Sequence, residues 1–467
     1  MTAVPAAVGG IATIDPATGE VLAVYQEHDE GAREEILAGA AAAQRRWRAL
    51  PIRSRAAALT AAAGLLDERA GRYAALITRE MGKPLAEARA EVAKCSRTLR
   101  FYADEGERLL ADEPVATEAL ASRVSYEPLG LVLAVMPWNF PFWQVLRFAA
   151  PALLAGNGAI LKHSPNVSGC AVALAELLAD AGFPPGLFAT LLVAEPQVPG
   201  VVAALVADPR IAAVTLTGSE RAGSAIGAAA GRALKKAVLE LGGSDPLVVL
   251  ADADLPRAVD AAVRSRFGNG GQSCIAAKRF IVAAEVADDF ERLLAAAVAA
   301  LRVGDPTDPA TDVGPLARPD LVTGLHRQVG DLVAAGARLL VGGHRLDRPG
   351  CYYAPTVLLA PAGGVLPDVE TFGPAAVVYR AADDDEAVEL ANSTAYGLGA
   401  AVWTGDVARG LRVGARIESG ALFVNGVVAS DPRLPFGGVK RSGYGRELGA
   451  LGIREFTNPR TVWVNAP

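Results

Sequence analysis

A cysteine, a glutamate and an asparagine raise the first chemical question in this chain. Cys274 stands in GNGGQSCIAA, behind two glycines, a glutamine and a serine and ahead of Lys278-Arg279. A thiolate is a strong nucleophile where its surroundings lower its pKa or a base takes its proton; otherwise a lone cysteine is inert packing. Glu240 closes the apolar run of LELGG. A carboxylate in a partly apolar setting gains a raised pKa and serves as a general base, and the plain alternative is an ordinary strand-end carboxylate. Asn139 lies between Trp138 and Phe140 in VMPWNFPFW, just past an apolar run. That position is the carboxyl end of a strand, where α/β folds bind ligands, or simply a turn with aromatic packing.

A fourth segment, LTGSERAGSAIG, follows an apolar run and opens a helical one. Its glycines, Gly218 and Gly223, do not make the GxGxxG pattern. Backbone amides at a helix start still hold a pyrophosphate, although a Gly-rich turn with no ligand looks the same in sequence.

These residues need a scaffold that brings them together. Residues 31–110 carry apolar side chains at three-to-four spacing and read as helices, and 115–128 lose that period and read as extended. From 130 onward, short apolar runs (GLVLAVMPW, GAILKHS, IAAVTLTGS, AVLELGG) alternate with helical stretches. Such alternation means parallel strands with crossover helices, and strands this apolar suit a sheet covered on both faces. The alternation resumes after 243 and gives a second α/β unit to about 440, and the end, EFTNPRTVWVNAP, reads as a terminal strand.

Bulk properties bound the rest. A chain of 467 residues is too long for one core. It is 51% hydrophobic and 21% charged, with a net charge of −6 spread along its length. That balance gives no reason to expect nucleic acid or a membrane surface as partner. No basic segment with an apolar core opens the chain and no apolar run spans a bilayer, so the cytoplasm is expected. The four cysteines and four histidines show neither disulfide nor metal spacing, and no metal is expected.

Taken in order, MPWNFP, LTGS, LELGG, GQSC, ETFGP and PFGGVKRSGYGRE resemble the aldehyde dehydrogenase superfamily over nearly the whole chain. Within it, LKHSPNV, KKAVLELGGSDP and FGGVKRSGYGRELG are most similar to the bacterial NAD(P)-dependent succinate-semialdehyde dehydrogenase group. The resemblance implies an α/β fold: a Rossmann-like parallel-sheet cofactor domain (1–112 and 129–242), an α/β catalytic domain (243–440) and bridging oligomerisation strands (113–128 and 455–467). It implies Cys274 as nucleophile, Glu240 as base, and Asn139 with the Cys274 backbone N–H as oxyanion hole. NAD or NADP would rest on Trp138, Lys162, Ser164, Gly218, Ser219, Gly223, Gly242, Glu370 and Phe372. Glycines 268, 270 and 271 would let the backbone pass close to the substrate. A homodimer or homotetramer acting on a small aldehyde is implied as well.

Two positions depart from the family. Pro165 stands where many NAD-using members carry a glutamate that repels a 2′-phosphate, so both cofactors are expected to work. His163 replaces a common proline, for which the sequence gives no reason. Arg147, eight residues after Asn139 and nearly two turns into the helix expected there, can face the substrate tunnel. Some succinate-semialdehyde dehydrogenases carry an arginine at this offset, and the resemblance implies that it grips a distal carboxylate through two parallel hydrogen bonds. Gly268 removes a second arginine found in some relatives, leaving Ser430 or Arg433 to complete the grip. The expected reaction is therefore oxidation of succinate semialdehyde or a similar short ω-carboxylated aldehyde. General aldehyde oxidation is the runner-up. CoA acylation is disfavoured by Glu240, and a non-catalytic protein by the intact nucleophile, base and oxyanion positions.

Overall fold

The computed structural model describes residues 10–364 and 366–466. Residues 1–9 and Pro467, at the ends of the expected units, lie outside the described residues. Five parallel strands form the heart of a six-stranded sheet: Lys236–Glu240, Ile211–Thr217, Leu131–Met136, Gly158–His163 and Phe188–Thr190, in that spatial order. The chain starts in the middle at Leu131–Met136, runs outward on one side, then crosses over to Ile211–Thr217 on the other. The crevice at the carboxyl ends of these two strands is the topological switch point, where open α/β sheets bind ligands. Trp138 and Asn139 follow one strand there, and Gly218 and Ser219 follow the other.

After Gly242 the chain builds a seven-stranded sheet. Its order is Arg338–Val341, Thr356–Leu359, Ala375–Ala381, Arg279–Ala283, Pro246–Val249, Gly399–Trp403 and Ala421–Val424. All neighbours are parallel except the first pair. Cys274 lies in the connection between helix Leu255–Phe267 and strand Arg279–Ala283, so it meets the switch point of the first sheet from the opposite side. The chain then returns, and Gly443–Tyr444 pairs antiparallel beside Lys236–Glu240. Gly158–His163, Pro246–Val249 and Gly399–Trp403 are buried at every position. That matches their largely apolar sequences, broken only by Lys162 and His163 at one strand end, in sheets covered on both faces.

The two extended segments pair with each other. Ala121–Pro128 and Thr457–Val464 run antiparallel from Thr457 opposite Pro128 to Val464 opposite Ala121, with Glu113–Pro114 on the free side. A hairpin of Gly10–Ile14 and Val21–Gln26 precedes the helices.

Helix Trp143–Leu154, which follows Asn139, is buried at every residue and has no capping side chain of its own. Its first amides still need acceptors. Glu91, from helix Leu85–Leu109, supplies them: its Oε1 accepts from the N–H of Phe142 at 2.9 Å and Trp143 at 3.0 Å. Its other oxygen pairs with Lys83, and both side chains are 1% exposed. Glu91 thus fixes where the Asn139 segment ends and the helix begins. Replacing it by leucine strands a buried ammonium and two amides, a loss of ~3–5 kcal/mol. Glu91→Leu is expected to lower the unfolding temperature by several degrees in a thermal melt, with Glu91→Gln intermediate; an unchanged melt for Glu91→Leu would contradict this assignment.

Candidate active site

The Cys274 loop is shaped by backbone conformations that few residues adopt. Asn269, Gly270 and Gly271 have φ of 53°, 60° and 72°. At Gly271 a Cβ would come within 2.3 Å of the Gly373 carbonyl oxygen, so only glycine fits. Gly268 differs from expectation. Its φ is −56° and a Cβ there would meet nothing closer than Glu87 Oε1 at 3.8 Å. The close approach is also to the Gly373 backbone, which packs the loop against the ETFGP segment.

Side chains then pin the loop. Lys278 is 1% exposed and donates from Nζ to the carbonyls of Ser273, at 2.7 Å, and Cys274. Gln272 Nε2 donates to Asn269 O at 3.1 Å, and its Oε1 accepts from Ala317 N at 2.9 Å. Asn139, 4% exposed, donates from Nδ2 to Gln272 O at 3.0 Å, and Asn269 Nδ2 donates back to Asn139 O at 2.9 Å. The structure therefore ties Asn139 and Cys274 into one hydrogen-bonded unit. The second Nδ2 proton of Asn139 and the Cys274 N–H have no acceptor among the described residues. Fixed donors of this kind stabilise a negative oxygen that forms next to them.

His163 acquires a reason. Its Nε2 donates to Pro141 O at 2.9 Å, and its Nδ1 accepts from Ser164 N at 2.9 Å. Burial holds its pKa down to about 4, so the ring stays neutral, as this bonding requires. The imidazole ties the Gly158–His163 strand end to the segment bearing Asn139. Proline could not make either bond.

Protonation states follow from burial. Desolvation pushes the Cys274 thiol up to about 12, with Lys278 and Arg147 pulling it down. Glu240 is 2% exposed and is raised well above the ordinary carboxylate range, first by burial and then by Glu447 beside it. Its carboxylate has no hydrogen bond among the described residues and lies against Gly437. It is not on the wall of the cavity that Cys274 lines. To reach that cavity, the side chain must turn from where it rests.

Arg147 requires a correction. It is 2% exposed and its guanidinium is committed inward, paired with buried Glu447, bonded to Thr217 Oγ1 at 3.2 Å and stacked over Phe436. A charge already neutralised inside the fold is not free to grip a carboxylate, although the residue touches the cavity wall. Arg433 turns to Asp431 at 2.7 Å on the surface. Ser430 does line the Cys274 cavity, where it accepts from Lys94 Nζ at 2.6 Å.

The cofactor positions gather at the switch point. Lys162 is 5% exposed, makes no hydrogen bond or ion pair among the described residues, and is lowered to about 8 by burial, with Glu195 pulling it back up. A buried ammonium without an acceptor fits an absent hydroxyl or phosphate ligand. Ser219 caps helix Glu220–Arg232, accepting from Ala222 N, and presents that helix N-terminus to the crevice. Gly223 permits the helix to pack on Leu241, where a Cβ would come within 2.4 Å, while Gly218 has ordinary room. Phe372 and Trp138 meet edge to face at 5.8 Å. Glu370 accepts from Gly243 N at 3.0 Å, and a Cβ on Gly242 would touch it at 2.5 Å. Ser164 lines a separate cavity with Pro165, Asn166, Glu195 and Arg318. These residues fit a dinucleotide running from Ser164 toward Phe372.

Sequence comparison bears on the same point. A family model described as "Aldehyde dehydrogenase family" matches residues 4–462. This chain belongs to the aldehyde dehydrogenase family. It is an NAD(P)-dependent aldehyde dehydrogenase, and the α/β reading of its fold holds. The chain is 52% identical over 461 residues to succinate-semialdehyde dehydrogenase [NADP(+)] 1 of Mycobacterium tuberculosis (H37Rv), covering 97% of this chain and 99% of the relative. It is 51% identical over 456 residues to a probable succinate-semialdehyde dehydrogenase [NADP(+)] of Synechocystis, with 97% and 99% covered. Among solved structures, the succinic semialdehyde dehydrogenase of Streptococcus pyogenes, in complex with NADP+, superposes with TM-score 0.93 at 35% identity, covering 98% of this chain and all of that one.

Asn269, Gln272 and Lys278 fall within or just after GNGGQSCIAA, but their residue types alone signal no role. Glu447, in GRELG, and Lys94 carry no sequence signal for the places they take.

In the enzyme without cofactor, the raised thiol pKa means little thiolate at neutral pH. The iodoacetamide alkylation rate of Cys274, followed by peptide mass spectrometry, is expected to rise about tenfold per pH unit from 7 to 10; a plateau near pH 8 would contradict it. Cys274→Ala should cut kcat more than about a hundredfold, ~2.7 kcal/mol of barrier. Alanine at the buried Cys95, Cys170 or Cys351 should spare most activity in the same assay.

Proposed function

We propose that this enzyme oxidises succinate semialdehyde, or a similarly short aldehyde with a carboxylate at its far end, to the acid with NADP+ or NAD+. The observation that carries this reading is the cavity of about 410 Å³ around Cys274, whose wall bears the half-buried Lys94 beside Ser430. The printed names of the relatives point to the same substrate and to NADP+.

Cys274 Sγ gives its proton to solvent in the cavity, and the thiolate attacks the aldehyde carbon. The oxygen that becomes negative is held by Asn139 Nδ2 and the Cys274 N–H. Bound NAD(P)+ supplies the hydride acceptor. Cys274 then carries the acyl group as a thioester. Glu240 swings from Gly437 toward the loop and takes a proton from water. The resulting hydroxide adds to the thioester carbon, and Cys274 leaves as thiolate with release of the acid. Burial raises the Glu240 pKa only where it rests. Turned toward the cavity, the carboxyl gives its proton to solvent, and as a carboxylate it can take one from the attacking water. A glutamate in this place favours water over CoA as acyl acceptor.

Lys162 and Ser164 would hold the adenosine ribose and its 2′-phosphate. The Glu220–Arg232 helix start, with Gly218, Ser219 and Gly223, would hold the pyrophosphate. Trp138, Gly242, Glu370 and Phe372 would frame the nicotinamide end. In this reading 1–112 with 129–242 form the cofactor unit, 243–440 the catalytic unit, and the strands within 113–128 and 455–467 join subunits of a dimer or tetramer. Four free cysteines fit a reducing compartment, the cytoplasm.

A panel of succinate semialdehyde, butanal and benzaldehyde, each with NAD+ and NADP+, tests this. Succinate semialdehyde should give the highest kcat/KM. NADP+ should work at least as well as NAD+, within about a hundredfold, since roughly 1–3 kcal/mol rides on one such contact. Preference for butanal, or activity with NAD+ alone, would contradict the reading.

A further inference from the structure

Of the four basic residues on the Cys274 cavity wall, three are poorly placed to hold a substrate anion. Arg147 is neutralised by Glu447 inside the protein. Arg264 is exposed and pairs with Asp260 at 3.1 Å. Arg97 is exposed to solvent, where a guanidinium keeps its water and gains little from one more partner.

Lys94 is different. It projects from helix Leu85–Leu109, half-buried, with Nζ 4.1 Å from the centre of the Trp143 ring. One N–H goes to Ser430 Oγ at 2.6 Å. No carboxylate lies within ion-pair distance of it among the described residues. An ammonium has three donors, so two remain. Ser430, 9% exposed, spends an oxygen lone pair on Lys94, and its own proton goes to no acceptor among the described residues. The ring face offsets part of the lost hydration, but no counter-ion is present. A carboxylate arriving here would accept from the ammonium and the hydroxyl together. The wall near the loop has the opposite sign: Glu87, whose Oε2 accepts from Asn269 N at 2.7 Å, is unfavourable to a second carboxylate.

We propose that Lys94, with Ser430, grips the distal carboxylate of the aldehyde and takes the specificity role expected of Arg147. This rests on the ω-carboxylated substrate reading and names the residue behind it. The substrate would span the cavity with its carbonyl carbon at Cys274 and its carboxylate at the Lys94–Ser430 pair.

A pH effect follows with a definite sign. Burial first, then Arg147, lowers the Lys94 ammonium to about 8 in the free enzyme, with Cys95 and Glu91 opposing and Arg97 adding slightly. Asp431, on the Ser430 loop, also faces it. Above pH 8 the lysine therefore loses its charge, and preference for the anionic aldehyde should fade.

The readout is the ratio of kcat/KM for succinate semialdehyde over butanal, measured on the full-length enzyme with saturating NADP+. The ratio cancels the titration of Cys274, which affects both substrates. Lys94→Met should lower it at least about thirtyfold, mainly through KM, as expected for losing a charged hydrogen bond. Lys94→Arg should keep most of it and remove the decline above pH 8. Ser430→Ala should lower it by about three- to tenfold, and NADPH binding by fluorescence checks that each variant is folded. A wild type that prefers succinate semialdehyde while Lys94→Met keeps that preference would overturn the grip alone. So would loss of preference in Arg97→Met with Lys94→Met unaffected. A wild type without preference would overturn the substrate reading and the grip together.

Discussion

The buried ammonium of Lys278 is the constraint on which the site depends. It sits just before strand Arg279–Ala283 and holds the carbonyls of Ser273 and Cys274 from beneath. Burying an ammonium is costly unless its protons are met. Here two carbonyls meet it, with Glu370 3.5 Å away. Because both carbonyls point to Lys278, the loop cannot turn over. Gly243 allows this closeness, since a Cβ there would come within 2.6 Å of Cys274 O. With the carbonyls fixed on one side, the Cys274 N–H and the Asn139 amide stay available on the other. The Cys274 N–H and the Asn139 amide are held this way because Lys278, just before strand Arg279–Ala283, and two glycine contacts restrict the loop.

The electrostatics of the resting site follow the same economy. Cys274 and Glu240 are both raised, chiefly by burial. In the resting enzyme Cys274 is therefore mostly thiol at neutral pH, and the Glu240 carboxyl is held above the ordinary carboxylate range beside Glu447. Arg147 is the counter-charge that makes this second buried carboxylate tolerable, which explains why it is turned inward. Arg147 thus helps set the environment of Glu240. The task of reading the substrate falls to a different cation, on a different helix.

Much of this was legible in the sequence, and for physical reasons. Buried parallel strands are written as short apolar runs, so both sheets stood out. Cys274, Glu240 and Asn139 were visible through the family resemblance of their motifs, and the structure ties Asn139 to the Cys274 loop through Gln272 O. What failed depended on distant partners. Arg147 read as a carboxylate grip from its helical offset and from the family resemblance; it does reach the cavity wall, but nothing local shows that Glu447 lies against it. Gly268 read as a close-approach glycine because of its neighbours, yet only Gly270 and Gly271 carry the unusual backbone. His163 made sense only once Pro141 O and Ser164 N were in place around it. The hairpin at Gly10–Gln26 went unread although DPATGE carries a turn signal, with Gly19 at φ 84°.

The central claim is that Cys274 carries the acyl group between the two half-reactions and that Glu240 is needed to release it. The most direct test is mass spectrometry of the Glu240→Gln enzyme quenched seconds after mixing with NADP+ and succinate semialdehyde. The account expects one succinyl group per chain, located by peptide mapping on Cys274, together with about one equivalent of NADPH. NADPH formed with no covalent adduct, or an adduct on Cys95, Cys170 or Cys351, would contradict it.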